Sequence, residues 1–194
     1  MAKATMLSDN IETTTSTVTF GVCATCDPRV DDESRVRARN IASMTAEVVA
    51  KGVKMPDGSA VNVVWTPVLI DGEKQADVVA KQFKDAGVDA IVCAPDTWAF
   101  PQLTLISLLS QFPDDMPINI TCGNSGPKPG VVYAHAVNGA LAQSGRLTAL
   151  NVGTWPDTGQ RPRMTPRTAE ALPGPVFITF FHFLRPFTLP LRLV

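Results

Sequence analysis

The sequence predicts an α/β fold in which a parallel five-stranded sheet is covered by helices on both faces. Two observations carry this. Five short apolar runs, at residues 17–23, 61–65, 88–93, 117–122 and 147–152, read as strands. Between them lie four stretches of helical pattern, at residues 31–51, 72–86, 101–112 and 130–144. Parallel strands need crossovers of that length, and such crossovers are right-handed.

Each element has a local reason. Residues 17–23 (TVTFGVC) are β-branched and apolar and read as a buried strand. In the first helix Val36, Ile41, Met44, Val48 and Val49 make an apolar stripe, with Arg35, Arg37, Arg39 and Lys51 on the wet side. Asp31, Asp32 and Glu33 stand at its start, where negative charge suits the helix dipole. Pro56-Asp57-Gly58 is a turn into the second strand. The second helix ends at Gly87, a C-cap, and the third strand follows. Pro101 opens the third helix in a tolerated first-turn position. The fourth strand (PINITC) leads to the fourth helix, which Gly145 ends before the fifth strand. The order βαβαβαβαβ is that of a doubly wound, flavodoxin-like, three-layer sheet.

Three regions are expected. Residues 1–15, polar and Thr-rich, form a disordered N-terminus. Residues 16–160 form the α/β domain. Residues 161–194 form an irregular tail rich in Pro, Phe and Arg. That tail holds Phe177, Phe180, Phe181, Phe183 and Phe187, its bases are all Arg, and its one acid is Glu170. Its prolines forbid a long helix or a central strand. It reads either as an arm packed on a partner or as a non-native end after truncation.

Composition excludes several function classes. With 45% hydrophobic residues the 194-residue chain can build a core. A net charge of -1 and 18% charged residues give no basic surplus for nucleic acid. The longest apolar run, residues 176–184, is far short of the roughly 20 residues that cross a bilayer. Cys23, Cys26, Cys93 and Cys122 are too few for a disulfide scaffold. No signal-peptide pattern precedes the first strand, so a cytoplasmic setting is expected.

Ligands bind such sheets beyond the carboxyl ends of the strands. The unusual residues collect there, at positions 23–29, 65–67, 94–98, 122–125 and 151–155. Neither G-x-G-x-x-G nor a P-loop occurs. Gly123-Asn124-Ser125-Gly126 reads as a plain βα turn, with close approach to a ligand as the alternative. Cys23-Ala24-Thr25-Cys26 has the strand-to-helix setting of a thiol redox pair, but its helix starts late. All four thiols fall near strand ends, yet their spacing matches no zinc pattern; buried, inert thiols are the default. His135 reads as a hydrogen-bonded structural histidine, and His182 lies in the tail without a role. Two residues look out of place for packing alone. Arg29 follows Asp27-Pro28, and its guanidinium fork suits a hydroxyl-rich or anionic ligand. Trp98 follows Ala94-Pro95-Asp96-Thr97, and its face suits the apolar side of a sugar. A surface salt bridge for Arg29 and a loop anchor for Trp98 are the alternatives.

Phe20-Gly21-Val22 with Asp27-Pro28-Arg29, the Ala94–Trp98 loop, the Gly126-Pro-Lys-Pro-Gly130 turn and Val131-Val-Tyr-Ala-His-Ala-Val-Asn-Gly-Ala-Leu-Ala occur here in order. In these the chain resembles the N-terminal domain of L-fucose isomerase over about residues 15–160. The resemblance implies an aldose–ketose isomerase that converts L-fucose to L-fuculose, and D-arabinose to D-ribulose, through an ene-diol. It further implies Mn2+, a cytoplasmic hexamer, and a first domain that reaches over a neighbouring subunit's active site. Substrate contacts would fall on Arg29 and Trp98. The family's metal-binding Glu, Asp and His belong to later domains, so this chain is expected to act as a fragment with no catalytic residue, no bound metal and no turnover alone. Neither nucleic acid nor membrane is expected as a partner. The rival readings are a stand-alone sugar-binding α/β module and a thiol oxidoreductase.

Overall fold

The structure, a computed structural model, describes residues 17–55, 57–123, 130–146 and 148–153. The regions expected at residues 1–15 and 161–194, with His182, lie outside the described residues, as do residues 124–129. The strands are β1 (Thr19–Thr25), β2 (Asn62–Ile70), β3 (Ala90–Cys93), β4 (Ile118–Gly123) and β5 (Thr148–Gly153). The helices are α1 (Asp32–Gly52), α2 (Glu73–Asp85), α3 (Leu105–Leu109) and α4 (Gly130–Gln143). All strand pairs are parallel, in the order β2-β1-β3-β4-β5. The expected α/β doubly wound sheet is therefore present.

The sheet divides two apolar layers. On one face Phe83 and Val79 of α2, Leu105 and Leu108 of α3, and Tyr133 and Val137 of α4 pack against Ile91, Ile118 and Ile120. On the other face α1 lies over Phe20, Val22, Ala24 and Val92. The helices α2 and α4 end as expected. Gly87 (φ 62°) and Gly145 (φ 76°) take the left-handed turn, and the next residues, Val88 and Arg146, donate back to Phe83 O (3.0 Å) and Leu141 O (3.0 Å). Asp31 caps α1 by accepting from Ser34 N–H at 2.8 Å.

Four expectations need correction. The buried stripe of α1 is Ala38, Ala42, Thr45, Ala46 and Val49, and Val36 is 53% exposed. Small side chains let the helix approach the sheet, so the residues that bury are not the bulkiest. The helix expected over residues 101–112 is instead a 3-10 turn, Pro101–Leu103, and the short α3. It breaks at Thr104, whose hydroxyl donates to Phe100 O at 2.7 Å. The second strand runs on to Ile70, so Trp65 and Pro67 are not at its carboxyl end. The register with β1 jumps between Val22↔Trp65 and Ala24↔Leu69, a bulge on an edge strand that tolerates Pro67. Finally, β1 extends to Thr25, which places Cys23 inside the strand.

Candidate functional site

The strand order reverses between β1 and β3, and the crevice beyond their carboxyl ends is the expected ligand position in such a sheet. The β1 loop folds on itself through Asp27. Its Oδ1 accepts the Arg29 backbone N–H at 2.8 Å and Arg29 Nε–H at 2.9 Å, and its Oδ2 accepts Arg29 Nη2–H at 2.6 Å. The first of these is the Asx turn that an Asp two residues ahead of a backbone donor makes. Asp27 is buried, whereas the Arg29 side chain is 70% exposed. The paired carboxylate holds the guanidinium even more firmly protonated than usual. Behind it, the Phe100 ring lies 5.3 Å from Arg29 Cζ, within cation–π range.

The β3 loop docks on the β1 loop. Ala94 N–H donates to Cys23 O at 2.8 Å, and Asp27 N–H donates to Thr97 Oγ1 at 3.3 Å. Thr97 is buried, and its own hydroxyl donates to Trp98 O at 3.1 Å. Trp98 is half-buried and packs against the α2–α3–α4 core layer. Arg29 and Trp98 thus stand on adjoining loops joined by three contacts, Ala94–Cys23, Asp27–Thr97 and Arg29–Phe100. Arg29 does make a salt bridge, and Trp98 does anchor its loop.

Several supporting residues gave no usable signal in the sequence. Arg37 of α1 donates from Nε to Asp96 Oδ2 at 2.7 Å, a pair 59 positions apart. Arg35 donates to Asp71 Oδ2 and to Pro28 O, each at 3.0 Å. Asp27, Asp71 and Asp96, one beyond each of β1, β2 and β3, are therefore all held by arginines. Below the loop, Tyr133 of α4 is fully buried and its hydroxyl lies 2.9 Å from Thr104 Oγ1. The Thr104 proton already goes to Phe100 O, so Tyr133 donates to Thr104 and in turn accepts Leu105 N–H at 3.4 Å. This chain of bonds fixes the end of the segment that carries Phe100. Spacing alone could not reveal it, because its members come from two separate elements.

The cysteines are buried free thiols. Cys23 and Cys93 face each other in register on β1 and β3, with Cys122 in the same core layer, whereas Cys26 lies on the α1 side. Cys93 is pushed up by its hydrogen bond with Cys23 and by burial. Burial also pushes Cys26 and Cys122 up to about 11. Redox catalysis needs the opposite shift, toward thiolate near neutral pH, so the arrangement opposes a thiol oxidoreductase. The shifts have a stability consequence. An unfolded thiol ionises near 9.0, whereas Cys26 and Cys122 hold their protons to about 11 when folded. Above pH 9 the folded state binds more protons, so stability should fall as pH rises from 9 to 11. Urea midpoints should drop over that window by the equivalent of about 1–2 kcal/mol per thiol. The double variant Cys26→Ala/Cys122→Ala should show a flatter profile, and an equally steep one would contradict the assignment.

His135, expected as a hydrogen-bonded structural histidine, lies on α4 as placed from the sequence and is exposed. Among the described residues no group of three or more His, Cys, Asp or Glu is placed to hold a metal ion. No described helix is long and apolar enough to cross a membrane.

Comparison with known proteins completes the picture. The model of the family described as "L-fucose isomerase, first N-terminal domain" matches residues 17–173. L-fucose isomerases of Streptococcus pneumoniae strains Hungary19A-6, CGSP14 and 70585 are each 29% identical to this chain over 129 residues, 65% of this chain and 21% of theirs. The chain thus spans about a fifth of the length of the curated relatives it matches. The matched region includes the whole described sheet with its β1 and β3 loops, and on that match the chain belongs to the family of first N-terminal domains of L-fucose isomerase.

Proposed function

We propose that this domain grips the sugar of an aldose–ketose isomerase that converts L-fucose to L-fuculose, or D-arabinose to D-ribulose, through an ene-diol. Arg29 and Trp98 are its substrate contacts. One observation carries the reading: an exposed, braced guanidinium stands on the loop adjoining a half-buried indole at the switch point of the sheet. Sugar hydroxyls accept from the guanidinium, and a sugar's C–H face packs on an indole. The family to which the chain belongs supports the sugar class.

Mn2+ is the metal that the family resemblance implies. The described residues do not fit it. Mn2+ prefers carboxylate and water oxygens, and Asp27, Asp71 and Asp96, the carboxylates that follow β1, β2 and β3, are each engaged by an arginine. The buried thiols are soft ligands, and those of Cys26, Cys93 and Cys122 have raised pKa values. The proton shuttle between neighbouring sugar carbons is therefore assigned to groups outside the described residues, and no step is routed through the metal here. Hexameric packing and a cytoplasmic setting belong to the same proposal.

Two measurements test it. The purified chain with Mn2+ and L-fucose should form no fuculose; clear turnover would overturn the division of labour. In a complete isomerase carrying this domain, Arg29→Ala should weaken L-fucose binding about tenfold, as loss of charged hydrogen bonds of about 1.5 kcal/mol predicts. An unchanged KM and kcat would remove Arg29 from the site. Tight, saturable L-fucose binding by the isolated chain in calorimetry would favour the stand-alone binding module instead.

A further inference from the structure

Arg29 holds a feature that sugar contact alone does not require. One edge of its fork, Nε and Nη2, is closed by both oxygens of Asp27, at 2.9 and 2.6 Å. One face is covered by Phe100 at 5.3 Å. The N–H bonds left over, on Nη1 and on the far side of Nη2, make no hydrogen bond to the described residues. Those N–H bonds form the second, end-on edge of the guanidinium, which stays open, so what sets this arginine apart from one meant for phosphate or carboxylate is its compensated charge. Here a buried carboxylate sits against it, and Asp31, Asp32 and Glu33 follow within the next residues.

We infer that Asp27 and Phe100 are positioning residues that fix Arg29 and cancel its charge, so that it serves uncharged polyols and rejects their phosphate esters. The inference rests on the reading of Arg29 as a sugar contact. Its physical content is separate, however. Asp27 supplies aim and compensation. Phe100 supplies a wall that stops the guanidinium from rotating away. Around an arginine so compensated, a hydroxyl oxygen gains its donors without meeting a full charge. A phosphate dianion meets the Asp27 carboxylate within a few ångströms.

The experiment uses the full chain with 15N-labelled arginine. The Arg29 Nε–H signal, assigned by its loss in Arg29→Lys, should exchange slowly with water in the wild type. In Asp27→Asn it should exchange rapidly, and inorganic phosphate should bind that variant at least about fivefold more tightly than the wild type, the effect of removing one charge about 4 Å away in water. A slow Nε–H signal in Asp27→Asn, or equal phosphate binding by both proteins, would overturn the inference. Should Asp27→Asn fail to fold, Phe100→Leu decides: accelerated Nε–H exchange is expected, and unchanged exchange overturns the brace. Titration of the complete isomerase with L-fucose tests the sugar reading by itself, and its failure would leave the Nε–H result standing.

Discussion

Replacing Phe83 by Ala should cost the domain about 3–5 kcal/mol and lower its melting temperature by about 10 °C or more. The ring is 2% exposed and belongs to the core layer under α2. It does not merely fill space between side chains. It rests on the backbone of β1, because Gly21 offers no Cβ. A methyl at Gly21 would lie 2.9 Å from Phe83 Cε2 and 3.0 Å from Val88 Cγ1, closer than carbon atoms pack. Since β1 pairs with both β2 and β3, a cavity there loosens the centre of the sheet. The pairing can be isolated. Gly21→Ala alone should cost about 1–3 kcal/mol by overpacking. With Phe83→Leu beside it, part of that cost should vanish. The double-mutant cycle should give a coupling above about 0.5 kcal/mol in thermal or urea unfolding. Strict additivity would mean that ring and strand do not meet as described.

The second large effect falls on the ligand edge. Gly130→Ala should destabilise the domain by about 2–3 kcal/mol and displace the loop that carries Trp98. A Cβ at this first residue of α4 would stand 2.6 Å from Pro95 O and 3.0 Å from Pro95 C. The obstacle is backbone, which cannot rotate aside as a side chain does. Either α4 or the loop must retreat. The helix is held by the buried side chains of Tyr133, Ala134, Val137 and Leu141, so the loop is the weaker party. Its movement would also lengthen the 3.1 Å bond from Gly130 N–H to Asp96 O and tilt the Arg37–Asp96 pair. With 5-fluorotryptophan in place, the 19F signal of Trp98 should shift while that of Trp65, on the distant β2 edge, stays. A stationary Trp98 signal with an unchanged melting temperature would count against this packing.

These two effects show where local pattern stops being informative. The strand runs, the crossover helices and the Gly87 and Gly145 caps could be read locally, since each depends on neighbours within a few positions. The spacing of Asp27 and Arg29 was also local, and an Asx turn could have been expected from it. The α1 stripe was not legible. Val36 fits a helical apolar period as well as Ala38 does, but the distance from helix to sheet selects the alanines. Nor was the break at Thr104, where bonds to Phe100 and Tyr133 override a good helical run.

By itself the sequence determined the fold class, the order and direction of the elements and the end of the sheet where unusual residues gather. Those properties follow from hydrophobic periodicity and chain stereochemistry, which act over short separations. Only the tertiary structure decided that Asp27 and Phe100 brace Arg29, that Arg37 reaches Asp96, and that Gly21 and Gly130 are gaps into which other parts of the chain fit. Those contacts join residues remote in sequence, and their energies depend on distances set only once the three layers have closed.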